Sequence, residues 1–281
     1  MIHAASFFIF SEQSFRNQGR RKQEIKRIKR EYSSVMPYIA FRFYGALNDF
    51  LKPELRQKTI LHPISGNQSA KDAIEAAGIP HTEAAMIVAN GRPVGFDYKV
   101  VHGDRLAVYP PFSALPIDPA HDLQPHPSPP HRFVADAHLG KLARYLRMLG
   151  FDCLYRRDFS DQAIIARSTQ ENRIILTRDI GLLKNKRASL GYFVRSQRPE
   201  KQLAEIMNRY QLYEEARPFE RCMVCNGTLE PVEKRQIENM LQPKTAQYFE
   251  RFYRCDACGK IYWKGSHYDN MKDFIRRLTA G

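Results

Sequence analysis

Between Pro37 and Phe112 the apolar residues fall into short strand-like and helix-like runs. In YIAFRFYG, Ile39, Phe41 and Phe43 occupy every second position, the period of a strand with one buried face. The same reading predicts a second strand around Thr59 to Ile64 and a helix over SAKDAIEAAG, capped by Ser69 and stopped by Gly78. It then predicts a strand over AAMIVANG and a last one over RLAVYPPF, after the turn at Gly103-Asp104. Strand, strand, helix, strand, strand within one short segment predicts a β-grasp domain over residues 36–112.

Residues 113–131 carry prolines at 116, 119, 125, 127, 129 and 130, with three histidines among them, the composition of a semi-rigid spacer. Beyond the spacer, helical and strand periods alternate. RFVAD is a strand, and LGKLARYLRMLG is a helix with Leu139, Leu142, Ala143, Leu146 and Leu149 on one side. DCLYR is a strand, SDQAIIARSTQE a helix, RIILT and GYFVR strands, and PEKQLAEIMNRY a helix. Strands separated by helices imply an α/β domain with a mostly parallel sheet, here over residues 132–215. Ligands of such sheets bind at the carboxyl ends of the strands.

That rule directs attention to the acids. Asp136 follows the strand RFVA and Asp179 follows RIILT, while Asp161 opens the helix between them behind Ser160. Hard oxygen donors gathered at one sheet edge suit a magnesium or manganese ion, and such an ion assists phosphodiester hydrolysis. Singly, an aspartate at a helix start is a cap and one after a strand is turn chemistry, so the case rests on their joint placement. Asp158 and Asp152 are reserve candidates.

Charge sharpens this picture. The net charge of +14 divides into +5 on residues 1–35, −1 on residues 36–130 and +10 on residues 131–281. The β-grasp segment is therefore no polyanion binder, and the C-terminal half is the candidate. Lys141, Arg144 and Arg147 are read as lying off the apolar stripe of their helix, where they would meet phosphates. Arg156, Arg157, Arg178, Lys184, Lys186 and Arg187 flank the other acids. Residues 1–35, with RRKQEIKRIKR, form a basic extension for which a solvated helix and a disordered arm both fit. No apolar run reaches the roughly 18 residues of a membrane span, and the charges follow the apolar stretch at residues 4–10 where a secretory signal would place them first. A cytoplasmic protein is expected.

Five cysteines support that compartment. Cys222-x-x-Cys225 and Cys255-x-x-Cys258 are two knuckles of a structural zinc site, with Cys153 left over as a core residue. The 29 residues between the knuckles hold a helical insertion, and residues 216–281 form a zinc ribbon with a C-terminal amphipathic helix carrying Met271, Phe274, Ile275 and Leu278. KIYWKGSHY is aromatic and basic. Its Tyr262, Trp263 and Tyr268 suit base stacking or a small core around the metal, and Lys264 and His267 are candidate RNA contacts.

The motifs RFVADAHLGKLARYLRMLGFD, RIILTRDIGLL, FERCMVCN and CGKIYWKGSHY together resemble the Mut-seven C-terminal RNase family, a PIN-like nuclease fold carrying a zinc ribbon. GIPHTE, NGRPV and GDRLAVYP resemble the ubiquitin-like domain that precedes such nuclease domains, and are similar to small sulfur carriers. Sulfur carriers end in a free Gly-Gly, whereas this segment runs on into Pro110-Pro111-Phe112, so a docking module is expected in place of sulfur transfer. The resemblance implies that Asp136, Asp161 and Asp179 are the metal-binding acids of an endoribonuclease acting on RNA. It also implies that the ubiquitin-like domain recruits ribosomal or RNA-processing partners. The alternative is an RNA- or ribosome-binding adaptor that no longer cuts.

Overall fold

A computed structural model describes residues 8–9, 36–111 and 118–279, so the basic arm RRKQEIKRIKR lies outside the described residues. The chain divides into two compact units, Met1–Pro125 with Ile180–Ser189, and His126–Asp179 with Leu190–Gly281.

The first unit is a β-grasp. Its strands are β1 (Phe8–Ile9), β2 (Tyr38–Phe43), β3 (Thr59–Pro63), β4 (Met86–Ala89), β5 (Arg92–Val94) and β6 (Arg105–Tyr109), with helix α1 (Ala70–Ala76) between β3 and β4. The sheet runs β1-β3-β2-β6-β4-β5, and only β2 and β6 pair in parallel. Alternation decides the inner face: Ile39, Phe41 and Phe43 of β2 and Leu106 and Val108 of β6 are buried with Ile74 of α1. Ser69 and Asp72 form a reciprocal capping box at the start of α1, as the sequence predicts for Ser69. The pattern predicts no strand at Arg92–Val94. Asn90 and Gly91, both at positive φ, supply the tight turn that folds it back on β4. The proline-rich stretch is tied to this unit as far as Gln124, through Leu123 N–H to the Ala85 carbonyl (2.8 Å) and the Gln124 amide to the His81 and Ala84 carbonyls.

The second unit opens with β7 (Arg132–Ala135), α2 (Gly140–Met148), β8 (Asp152–Tyr155), α3 (Asp161–Glu171), β9 (Ile174–Thr177), β10 (Gly191–Phe193) and α4 (Pro199–Arg209). All four strands are parallel in the order β10-β9-β7-β8. The chain steps from β7 to β8 on one side and crosses back to β9 on the other, so the carboxyl ends of β7 and β9 meet at the switch point. Every residue of β9 is buried, which is why IILT reads as an unbroken apolar run and not as an alternating strand. Cys153 is fully buried in this core, and burial pushes its thiol up to about 12.

The ribbon follows as an antiparallel sheet β11 (Leu229–Val232), β12 (Phe252–Cys255) and β13 (Ile261–Trp263). Helices α5 (Lys234–Ile237) and α6 (Pro243–Tyr248) fill the long inter-knuckle gap. The last helix, α7 (Ser266–Thr279), packs Phe274 and Ile275 onto the core of the parallel-sheet domain, with Phe274 stacked on Tyr145 of α2 at 5.0 Å.

The first knuckle is welded to the edge of β8. The Asn226 side chain accepts from Cys153 N–H (3.0 Å) and donates to Asp152 Oδ1 (2.7 Å). Asp152 also takes a forked pair of hydrogen bonds from Arg173 at 2.7 and 3.0 Å. Arg147 is the main correction to the sequence reading. It is not a solvent-facing phosphate ligand but only 2% exposed, donating to the carbonyls of Cys153 (2.8 Å) and Val224 (2.8 Å). Its position on the helix borders the apolar stripe, and the docked knuckle extends the buried face to cover it. Gly150 ends α2 at φ +92, and a Cβ there would lie 2.1 Å from the Arg217 carbonyl, so only glycine lets the ribbon's leading segment approach.

Burial alone would raise the Asp152 pKa, but the hydrogen bonds from Arg173 and Asn226 hold it below the usual carboxylate value. Its folded pKa thus lies under its unfolded one, about 3.9. Its contribution is full above that pH and is lost as the pH falls through the folded value. Asp152→Asn is expected to cost about 2 kcal/mol in urea unfolding at neutral pH, because it removes the charged acceptor of the Arg173 fork and leaves that guanidinium only its Glu171 ion pairing at 2.8 Å. The difference from the unsubstituted protein should shrink as the carboxylate titrates in acid; a difference independent of pH would contradict the assignment.

Candidate nucleic-acid groove and metal centre

Asp136 sits at the carboxyl end of β7 and is nearly buried, 9% exposed. One carboxylate oxygen caps the turn by accepting from Ala137 N–H, and the other accepts from the Thr177 hydroxyl at 2.8 Å. Thr177 is itself fully buried at the end of β9, and its oxygen accepts from Asp179 N–H at 2.9 Å. One threonine therefore ties the two expected acids across the switch point. Sequence reasoning missed Thr177, although a hydroxyl closing an apolar strand just before Arg178-Asp179 was a usable signal. Asp161 starts α3 on the same edge, exposed, behind Ser160, whose hydroxyl accepts from Ala163 N–H. Among the described residues, no three carboxylates bring their oxygens within 4.8 Å of one another. The donor chemistry still fits a hard divalent ion, since magnesium commonly takes one or two protein carboxylates and completes its shell with water and phosphate. Of the reserve acids, Asp152 is committed to Arg173 and Asn226, and Asp158 pairs with Arg156 on the surface.

An open groove of about 620 Å³ begins at Ala137, the residue that follows Asp136. Ala137, His138 and Gly140 lead into it from β7, and Lys141, Arg144 and Arg157 contribute exposed cations. Met223 and Val224 of the first knuckle form a wall, held in place by Arg147. Among the described residues no acidic side chain lines it. The structure thus brings Lys141 and Arg144 together, whereas Arg178 and Lys184 lie elsewhere. Arg178 spends its guanidinium on the carbonyls of Val194, Arg195 and Ser196. Lys184, in the first unit, donates to the Glu75 carbonyl at 2.6 Å, and its burial lowers its pKa. Trp263, Lys264 and His267 lie on the ribbon and the start of α7, all exposed.

The four ribbon cysteines converge. Their ligand atoms all lie within 4.8 Å of one another, with Cys222 and Cys258 sulfurs 3.7 Å apart and Cys225 and Cys255 3.3 Å apart. Burial opposes ionisation of Cys222, but the Tyr262 hydroxyl, 3.1 Å from its sulfur, and the backbone N–H groups of Cys225 and Val224 bring it down to about 6. Four sulfurs this close could hold one metal ion, and an all-cysteine donor set suits zinc. Gly227 is required here, since a Cβ would stand 2.8 Å from the Cys255 sulfur.

Residues 131–275, just over half of the chain, match the model of the Mut7-C RNAse domain. The chain belongs to the Mut7-C RNase domain family. Residues 36–116 match the Mut7-C ubiquitin model, so the β-grasp precedes the RNase domain in this chain. The Mut7-C match contains the acids at the switch point, the basic groove and all four ribbon cysteines. No curated protein matches the chain. Two crystal structures of the small archaeal modifier protein SAMP1 from Haloferax volcanii are similar over 28% and 27% of this chain and 99% of theirs. They are 17% and 16% identical, each with a TM-score of 0.22. No described helix is long and apolar enough to cross a membrane.

For a Mut7-C chain built this way, metal analysis is expected to find one zinc per chain, retained through gel filtration. Cys255→Ser should lose it and unfold the ribbon, because a structural site supplies folding free energy outright. Full retention of zinc in that variant would exclude the four-sulfur site.

Proposed function

We propose that the second unit is a metal-dependent endoribonuclease that hydrolyses RNA phosphodiester bonds, with the ubiquitin-like domain as a docking module for a protein partner. The observation that carries this is the acid-free basic groove that begins at the residue after a nearly buried aspartate at the β7/β9 switch point. Lys141, Arg144 and Arg157 bind the phosphates, a sequence-independent and salt-sensitive interaction. Asp136 and Asp179, with Asp161 as the third acid, would hold magnesium or manganese. When bound, such an ion neutralises charge on the scissile phosphate and lowers the pKa of the attacking water. Thr177 keeps one Asp136 oxygen oriented by its hydrogen bond, and the other oxygen is held by the turn that starts at Ala137. The zinc ribbon is structural and supplies the groove wall at Met223 and Val224.

Asp136→Asn is expected to lower cleavage of single-stranded RNA in magnesium or manganese at least about 100-fold, with RNA affinity by fluorescence anisotropy unchanged or tighter. Equal cleavage by the purified variant would overturn the reading, and absence of turnover in the unsubstituted zinc-loaded protein under either ion would favour a non-cutting RNA adaptor. Replacing Lys141 and Arg144 together by alanine should weaken binding of all RNA sequences alike and reduce the slope of log affinity against log salt by about 1.4.

A further inference from the structure

Resting on that reading, we propose that the ribbon carries a nucleobase pocket, in which one unpaired base of single-stranded RNA stacks on Trp263 while the adjoining phosphates follow the basic groove. A second cavity, of about 280 Å³, lies between the ribbon and α7, walled by Phe219, Tyr253, Tyr262, Trp263 and Tyr268. The rings are held. Phe219 and Tyr268 lie with centroids 4.6 Å apart, and the Tyr262 hydroxyl is anchored on the Cys222 sulfur at 3.1 Å. Trp263 nevertheless remains 40% exposed, an indole left partly open to solvent beside a preformed aromatic wall. The Lys264 ammonium stands 5.4 Å from the centre of the Tyr268 ring, placing a positive charge at the rim.

These features suit a flat, uncharged ring attached to an anion. The volume is at the small end of ligand pockets, which begin near about 300 Å³, so it takes one base and not a folded chain. Proximity to the basic groove favours RNA over a peptide: Met223 of the first knuckle lines both cavities, so the rings and the cations of the groove are separated by the width of one side chain there. A duplex is excluded as the ligand, because its paired bases do not offer their faces, whereas stacking on aromatic side chains is how single strands are gripped.

Trp263 is the only tryptophan in the chain, so its emission reports this pocket alone. The experiment uses the full-length zinc-loaded protein carrying Asp136→Asn, titrated with a dodecamer of adenylate RNA, with inorganic polyphosphate and with a leucine-rich peptide, while anisotropy of a labelled dodecamer records binding. The dodecamer should quench Trp263 and polyphosphate should not. Trp263→Ala should weaken the dodecamer about tenfold and leave polyphosphate binding within about twofold, and the Lys141 and Arg144 double variant should weaken both. Dodecamer binding with unchanged emission would overturn the pocket and leave the nuclease reading standing. An emission response to the peptide but not to RNA would also overturn it and give the cavity to a protein partner. No dodecamer binding at all would overturn both.

Discussion

A buried guanidinium holds the C-terminal unit together. Arg147 lies within α2 yet is almost wholly shielded from water, and a charge in that position is tolerated only when its donors are met. Its partners are the carbonyl of Cys153 on β8 and that of Val224 in the first Cys-x-x-Cys knuckle, so one side chain fixes a helix, a sheet edge and the ribbon to each other. Asn226, at φ +77, completes the joint by closing the β8 edge with its side chain while its backbone shapes the knuckle. The groove exists because of this joint: its far wall is the knuckle that Arg147 clamps, and its near wall is the helix on which Arg147 sits.

The cysteine cluster and the parallel-sheet domain are joined through the same contacts. The four cysteines that could hold a metal ion shape the knuckle, and the knuckle presents Met223 and Val224 to the groove. The acids lie on the rigid side of the same unit. Asp136 and Asp179 share Thr177 at the ends of two parallel strands, β9 buried throughout and β7 buried except at Arg132, which fixes their backbone positions and leaves Asp179 exposed at the edge. The acids Asp136 and Asp179 thus follow strands of the sheet, while the exposed cations Lys141, Arg144 and Arg157 belong to the flanking helix and loop.

The first unit is built differently. Its sheet is held by strict alternation, with Ile39, Phe41 and Phe43 inward and Ala40 and Arg42 on the opposite face, and by a capped helix that covers the parallel β2/β6 pair. The β-grasp segment itself is near neutral, −1 over residues 36–130, so it offers no electrostatic attraction for a polyanion.

Periodicity and spacing are local properties, and what they determine was legible: β2, β3, β4 and β6 of the first sheet, the four strands of the parallel sheet, the Ser69 and Ser160 caps, the four cysteines, the amphipathic last helix and the buried Cys153. The positions of Asp136 and Asp179 at the sheet edge follow from the same strand pattern. What each polar group bonds to was not legible, because its partner is brought from far along the chain. Arg147 reads as a surface cation in its own helix and becomes buried only when Val224, 77 residues on, docks against it. Arg178 likewise looks available in sequence and is consumed by carbonyls up to 18 residues away. Thr177 is marked in sequence only as the hydroxyl that closes an apolar strand, and the partners of Thr177, Asn226 and Met223 are set only by the meeting of β7 with β9 and of the knuckle with β8. Sequence determined which elements form and which chemistries the chain contains. Tertiary structure decided which charges are free to meet a ligand, since burial and hydrogen bonding across distant segments set whether a side chain faces water or the protein's own backbone.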